Sequence, residues 1–205
     1  AQLSQQAGLA SEAIDFGEAA ANLARAAFGQ ASDIEAYARL ARGQALLALN
    51  RNEEARADLD IALEIARQLY EPDSPELTPF LGALGLARFT LSDPAGARAL
   101  FEEALPLEKD PLFAADLRMN YARVLHVEGE YEASLAQARL AAAAFAGSIG
   151  ETSEKAIEAR IIVATALNRL DRADEAIALL SPAITRLEAL PELEWLLIDA
   201  LRTKA

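Results

Sequence analysis

The chain has no cysteine, one histidine, one methionine and one tryptophan among 205 residues, and each scarcity closes off a class of chemistry. Without thiols there is no disulfide framework, no thiolate nucleophile and no thiolate metal site. One histidine, His126, cannot build a multi-histidine metal centre, and a lone histidine on a helix is more often packed or solvated than catalytic. Excess positive charge is missing too: 32 acidic against 19 basic side chains leave a formal charge of −13, which opposes phosphate backbones and anionic membrane surfaces. Neither nucleic acid nor a membrane is an expected partner. Stretches such as RLAAAAFAG, residues 139–147, are too short to span a bilayer, and no basic-then-apolar leader opens the chain. The cytoplasm is the expected compartment, though an absence of cysteine fits the periplasm equally. There is no Gly-rich phosphate loop ending in Lys-Ser/Thr, no G-x-S-x-G elbow and no His-Glu-x-x-His pair. The expectation is a non-enzyme with no catalytic residue, cofactor or metal.

What is present is helix-forming material. Hydrophobic residues make up 53% of the chain and aromatics only 6%, and the apolar share is mostly alanine and leucine, which favours helix packed on helix over sheet. Arginine outnumbers lysine sixteen to three, a bias that, with alanine richness, suits a GC-rich bacterial genome.

Sliding the chain against itself exposes a repeat. Ala13, Ala55 and Ala97 are spaced by 42 residues; Ser134 follows 37 later and Ala176 another 42 later. The turns keep the same register, with Ser32, Ser74 and Ser153 placed to cap helices through their hydroxyls. Ser32 has Glu35 at capping-box spacing, Ser74 is followed by Pro75, and Asp110 with Pro111 does the same job in the shorter unit. The prolines of EPDSPELTP, residues 71–79, therefore read as a turn that ends one helix and starts the next, with Pro79 inside its first turn. Pro106 and Pro182 fall late in second helices, where each should kink or end its helix.

The run LGALGLARFTLSDPAGARALFEEAL sets Leu81, Leu84, Gly85, Ala97, Phe101 and Ala104 at the spacings of a tetratricopeptide repeat, and the chain resembles that family. Gly43, Leu46, Ala55, Leu59 and Ala62 repeat the pattern, as do Ala122, Leu125, Gly129, Tyr131 and Ala141, and then Ala164, Leu167, Ala176, Leu180 and Ala183. The 42-residue step is similar to the extended repeats of kinesin light chains and many bacterial regulatory proteins. GQASD, EPDSP and GETSE stand where that subclass carries Gly-x-x-His-Pro. Leu81 and Arg88 replace the usual tryptophan and tyrosine, Gly17 a large residue, and Arg42 an apolar one.

The resemblance implies an all-α, right-handed solenoid of helical hairpins, over one domain covering residues 1–205. Its units are read as 1–31, 32–73, 74–109, 110–152 and 153–189, followed by a capping helix over 191–204 carrying Leu193, Leu196, Leu197, Ala200 and Leu201 as one apolar stripe. The first unit matches only from the middle of a first helix, with Gly8 as its hairpin turn, so a longer parent protein is expected. Function is expected from the groove lined by first helices: a scaffold binding a protein or peptide. Projecting the helical period places Tyr37, Leu40, Ala41, Gln44 and Leu47 there, then Gly82, Ala83, Leu86 and Phe89, then Met119, Asn120, Arg123 and His126, and finally Glu158, Ile161, Ile162, Thr165, Asn168 and Arg169. Leu47, Leu86 and Phe89 would be apolar anchors. Asn120, Arg123, His126, Thr165, Asn168 and Arg169 would suit a peptide carboxylate; the other reading pairs these arginines with Glu158 or neighbouring acids. The alternative function is a sensory or self-associating domain, in which a small ligand or a second copy (a homodimer) docks and switches an attached kinase or DNA-binding unit.

Overall fold

A computed structural model describes residues 2–29, 31–187 and 203, with side chains from Gly8 onward except those of 183 and 185–187. Among these residues the chain is all-α, a tetratricopeptide-like solenoid of helices packed pairwise in sequential hairpins. The helices are α1 (Gln2–Phe28), α2 (Asp33–Ala48), α3 (Asn52–Leu69), α4 (Thr78–Thr90), α5 (Pro94–Ala104), α6 (Pro111–Val127), α7 (Tyr131–Ile149), α8 (Glu154–Arg169) and α9 (Ala173–Leu187). The expected capping helix, with Trp195, lies outside the described residues. The chain divides into two compact units, one ending at Glu108 and one beginning at Lys109.

Local chemistry sets the helix starts. Ser32 accepts from the Glu35 amide at 3.2 Å and Ser153 from that of Ala156 at 3.3 Å, while Asp110 accepts from Leu112 and Phe113 at 2.9 and 2.7 Å. Each satisfies amides that have no partner within the helix. Ser74 differs: Pro75–Leu77 form a 3₁₀ turn, and the Ser74 hydroxyl turns to Glu76 instead of capping. Helix α4 begins only at Thr78, which puts Pro79 in its first turn, where a missing amide hydrogen costs nothing. Pro106 follows the end of α5 at Ala104, whereas Pro182 lies inside α9.

The turns inside the hairpins share one device. Asn50, Ser92, Gly129 and Asp171 all adopt left-handed backbone, with φ of 58, 62, 82 and 57°. The next amide in each then reaches back to Leu46, Arg88, Leu125 or Leu167 at 2.9 to 3.0 Å, the bond that closes a Schellman cap. These four residues are spaced 42, 37 and 42 apart, the same steps as the repeat.

The repeat positions are the core. Ala55, Ala97, Ser134 and Ala176 are all completely buried, and Ser134 hides its hydroxyl by donating to the Ala122 carbonyl at 2.7 Å. Each sits where a second helix crosses its first, and the pair of residues one turn on is matched in size. A Cβ on Gly43 would lie 2.6 Å from Leu59 Cγ, and one on Gly85 3.0 Å from the Phe101 ring. Alanines stand at the equivalent positions 122 and 164.

Two expectations are corrected. Gly8 does not turn the chain: α1 runs without a break from Gln2 to Phe28, so the first repeat, residues 1–31, is one helix and not a hairpin. A lone helical glycine costs only about 1 kcal/mol relative to alanine, and its neighbours are good helix formers. Nor does Glu35 complete a capping box with Ser32. It is buried and binds Arg25 and, at 3.0 Å, Arg39. Arg39 continues to Asp58 at 3.1 Å, Asp58 to Arg42 at 2.8 Å, and Arg42 to Glu18 at 3.6 Å. Three cations and three anions thus tie α1, α2 and α3 together. Burial pushes the Glu35 carboxyl up, but Arg25 and Arg39 outweigh it and hold the group below its ordinary range. The arginine at 42, out of place as a packing residue, is explained by this chain of pairs.

Candidate functional site

Within each unit successive first helices meet directly, α2 against α4 and α6 against α8. That closeness covers part of the projected surface. Leu40, Gly82, Ala83, Met119, Ile161 and Ile162 are buried in the core, not presented to a partner. Of the residues projected in the first unit, Tyr37, Ala41 and Gln44 stay exposed and Leu47, Leu86 and Phe89 half-buried, with Tyr37 packed on Phe80 at 5.1 Å between ring centroids. None of them carries a charge.

The second unit supplies the polar surface. From α6, Asn120 Oδ1 accepts from Arg123 Nη1 at 3.0 Å, while the other Arg123 nitrogen bridges to Glu158 on α8. Arg123 is therefore held in place by one residue of its own helix and one of the next. Glu158 neutralises it, so the site is a fixed donor–acceptor pair rather than two loose cations. Thr165 donates back to the Ile161 carbonyl at 2.8 Å, and the Asn168 amide donates to the Thr203 carbonyl.

Beside these, two rings and one cation pack together. The Arg169 guanidinium lies 5.5 Å from the Tyr131 ring centre, a cation–π distance, and His126 tilts against the same ring at 5.2 Å. Desolvation, reinforced by the nearby Arg169 charge, holds His126 below its ordinary pKa, and its Nδ1 is buried without a hydrogen-bond partner. A neutral imidazole is the consistent state. The sequence read Tyr131 as a repeat packing position and not as part of the groove, because it opens α7; the signal for its place here was its position two residues after the left-handed Gly129 turn, which swings it back over the end of α6.

Chemically, this face offers a carboxylate, one exposed guanidinium and amide and aromatic contacts, the repertoire of main-chain and side-chain recognition. Among the described residues no group of three or more His, Asp or Glu is placed to hold a metal ion, and no helix is long and apolar enough to cross a membrane.

Residues 37–110 match the tetratricopeptide repeat family. No curated protein matches the chain in sequence. Among solved structures, the nearly identical TPR-like repeats of a kinesin light chain-like protein from Podosopora anserina superpose with a TM-score of 0.71 at 16% identity, over 89% of this chain and 92% of that one. BtubC from P. vanneervenii gives 0.70 at 17%, covering 99% and 83%. PlcR from Bacillus thuringiensis, solved in complex with the peptide PapR7 and DNA, gives 0.62 at 17%, covering 95% and 74%. At such identities the likeness is one of fold.

Proposed function

We propose that this chain, whose residues 37–110 belong to the tetratricopeptide repeat family, is a non-catalytic module that binds a protein or an extended peptide on the faces of its first helices. The observation that carries this reading is the bridge from Arg123 on α6 to Glu158 on α8, with Asn120 fixed beside it and Arg169 stacked on Tyr131. Polar groups held in one geometry before binding lose little freedom on binding, which is what recognition of a flexible peptide needs. A neighbour of the same fold, PlcR, is solved with a peptide. Arg169, exposed and free of an anion in its own helix, meets a carboxylate; Asn120 and Asn168 meet peptide amides. An affinity near micromolar, about −8 kcal/mol, is expected for one short segment.

The test is panning of a random peptide display library against the chain, with Arg123→Glu/Arg169→Glu as counter-selection. A consensus lost in the double variant supports the reading; unchanged binding in that variant removes the α6/α8 face from it.

A specific observation favours a second reading, self-association. On α1, Phe16 and Leu23 are 73% and 71% exposed, although their counterparts 42 residues on, Asp58 and Ile65 of α3, are buried, at 5% and 7%. With Leu9 they form a stripe of heptad spacing that is its own mirror about Phe16, as a two-fold helix pair requires. Light scattering over a concentration series should show a dimer that Phe16→Glu dissolves; a monomer throughout removes this reading.

A further inference from the structure

The two units carry the same cleft with opposite linings, and the difference points to a ligand. In the second unit α7, α8 and α9 border an open cleft of about 450 Å³ floored by Ala142, Ala146, Val163, Leu167 and Leu179, with Arg139, Arg160 and Glu175 at its edge. A shift of 79 residues, the spacing between Ala55 and Ser134 and between Ala97 and Ala176, carries this lining onto a cleft of about 370 Å³ among α3, α4 and α5. There the chain lines the cleft with its own charges. Arg88 reaches Asp60 at 3.5 Å and Arg67 reaches Glu103 at 2.7 Å. The second unit replaces Arg67 by Ala146 and Arg88 by Leu167, so those two arginines are gone from the lining and an apolar floor is left.

The edge is cationic in an acidic protein. Glu175 would oppose an anion, but both of its oxygens are taken by Arg172 at 2.7 and 2.9 Å, which leaves Arg139 at 3.7 Å from it. Among the described residues Arg160 pairs only with Glu151, at 3.4 Å, and that carboxylate is 76% exposed. Both guanidiniums therefore have long, solvent-weakened partners that an incoming anion can displace. An apolar floor of this size under two such donors has the proportions of a small-molecule site. It is also separate from the peptide face. On α8, Arg160, Val163 and Leu167 point about 180° away from Glu158, Thr165 and Arg169 at 3.6 residues per turn.

From this we infer that the α7–α8–α9 cleft binds a small aliphatic carboxylate, its chain on the alanine and valine floor and its head group between Arg139 and Arg160. The inference does not rest on the peptide reading, since it uses the opposite face of α8.

The experiment is amide and methyl chemical-shift mapping with octanoate as probe, with octanol and acetate as controls. Shifts are expected in α7, α8 and α9 and not in α3 to α5. Octanol should bind at least tenfold more weakly, acetate should give no saturable shift, and Arg139→Gln/Arg160→Gln should weaken octanoate at least tenfold. Ala146→Phe, which fills the cleft from the exposed side of α7, should abolish binding while circular dichroism stays native. No saturable binding at millimolar octanoate, equal binding of octanol, or binding that survives Ala146→Phe would overturn the assignment. Should Arg160→Gln unfold the chain, Arg139→Gln alone keeps the test, with a loss of at least threefold expected and an unchanged affinity counting against it.

Discussion

The two halves of this chain are copies of one plan in which charge and apolar bulk have traded places. Glu35, Arg39, Arg42 and Asp58 form the buried network of the first unit; 79 residues later the same positions hold Ala114, Arg118, Tyr121 and Gln137. The same exchange occurs behind them, where Arg67 and Arg88 become Ala146 and Leu167. The first unit pairs Arg39, Arg42, Arg67 and Arg88 with its own carboxylates. The second leaves guanidiniums at its surface, Arg139, Arg160 and Arg169, over an apolar body. Hairpin geometry is thus indifferent to what fills the gap between helices, provided the crossing residues match in size, and the surface left over for a partner is decided by where the charges are spent.

The contrast breaks most visibly at Asp58. Asp58→Ala leaves Arg39 and Arg42 with one buried anion fewer and is expected to cost about 3 kcal/mol in urea unfolding. At the equivalent Gln137, whose Oε1 is buried and unpaired, Gln137→Met should instead gain about 1 kcal/mol, because an unsatisfied acceptor is removed. Equal effects at the two sites would show that the network is not what distinguishes the units. Next in size is Gly43→Ala. A methyl set against Leu59 at 2.6 Å is expected to lower stability by about 1 to 2 kcal/mol after allowing for the better helix propensity of alanine. Pairing it with Leu59→Ala, which copies the Ala122/Ala138 match of the second unit, should make the added methyl tolerable, and a double-mutant cycle reads the coupling.

Of the four left-handed turn residues, Ser92 pays a conformational cost that Gly129 does not. Ser92→Gly should raise the melting temperature by the equivalent of about 0.5 kcal/mol, while Gly129→Ser should lower it by a similar amount. The smallest expected effect is the pH response of His126. Its folded pKa lies below the unfolded value, so its contribution is fully present above about pH 6.5 and is lost as pH falls through the folded pKa. Denaturation midpoints of His126→Gln, compared with the parent between pH 7 and 5, should show a flatter decline.

How much of this was readable beforehand follows from the range of the interaction involved. Caps at Ser32, Asp110 and Ser153 and the buried alanines of the repeat were legible because a cap or a helix crossing needs only residues a few places apart, or one repeat apart. The continuity of α1 was not: a glycine reads as a turn unless its neighbours carry the helix through it. Glu35 had the spacing of a capping box yet was drawn to Arg25 and Arg39, because a pair of guanidiniums outbids one backbone amide for a buried carboxylate. Projection of a single helix also overstated the surface, since it could not know how closely α6 approaches α8 and so left Met119 and Ile161 outside the core. Arg123 was legible as either a free cation or a partner of Glu158, and geometry selects the pair.

The most direct test of the account is hydrogen exchange on the full chain with and without a peptide selected by panning. Slower exchange concentrated in α6, α8 and the start of α7, with α2 to α5 unchanged, is the predicted result. Protection confined to α2–α5, with α6 and α8 untouched, would contradict it.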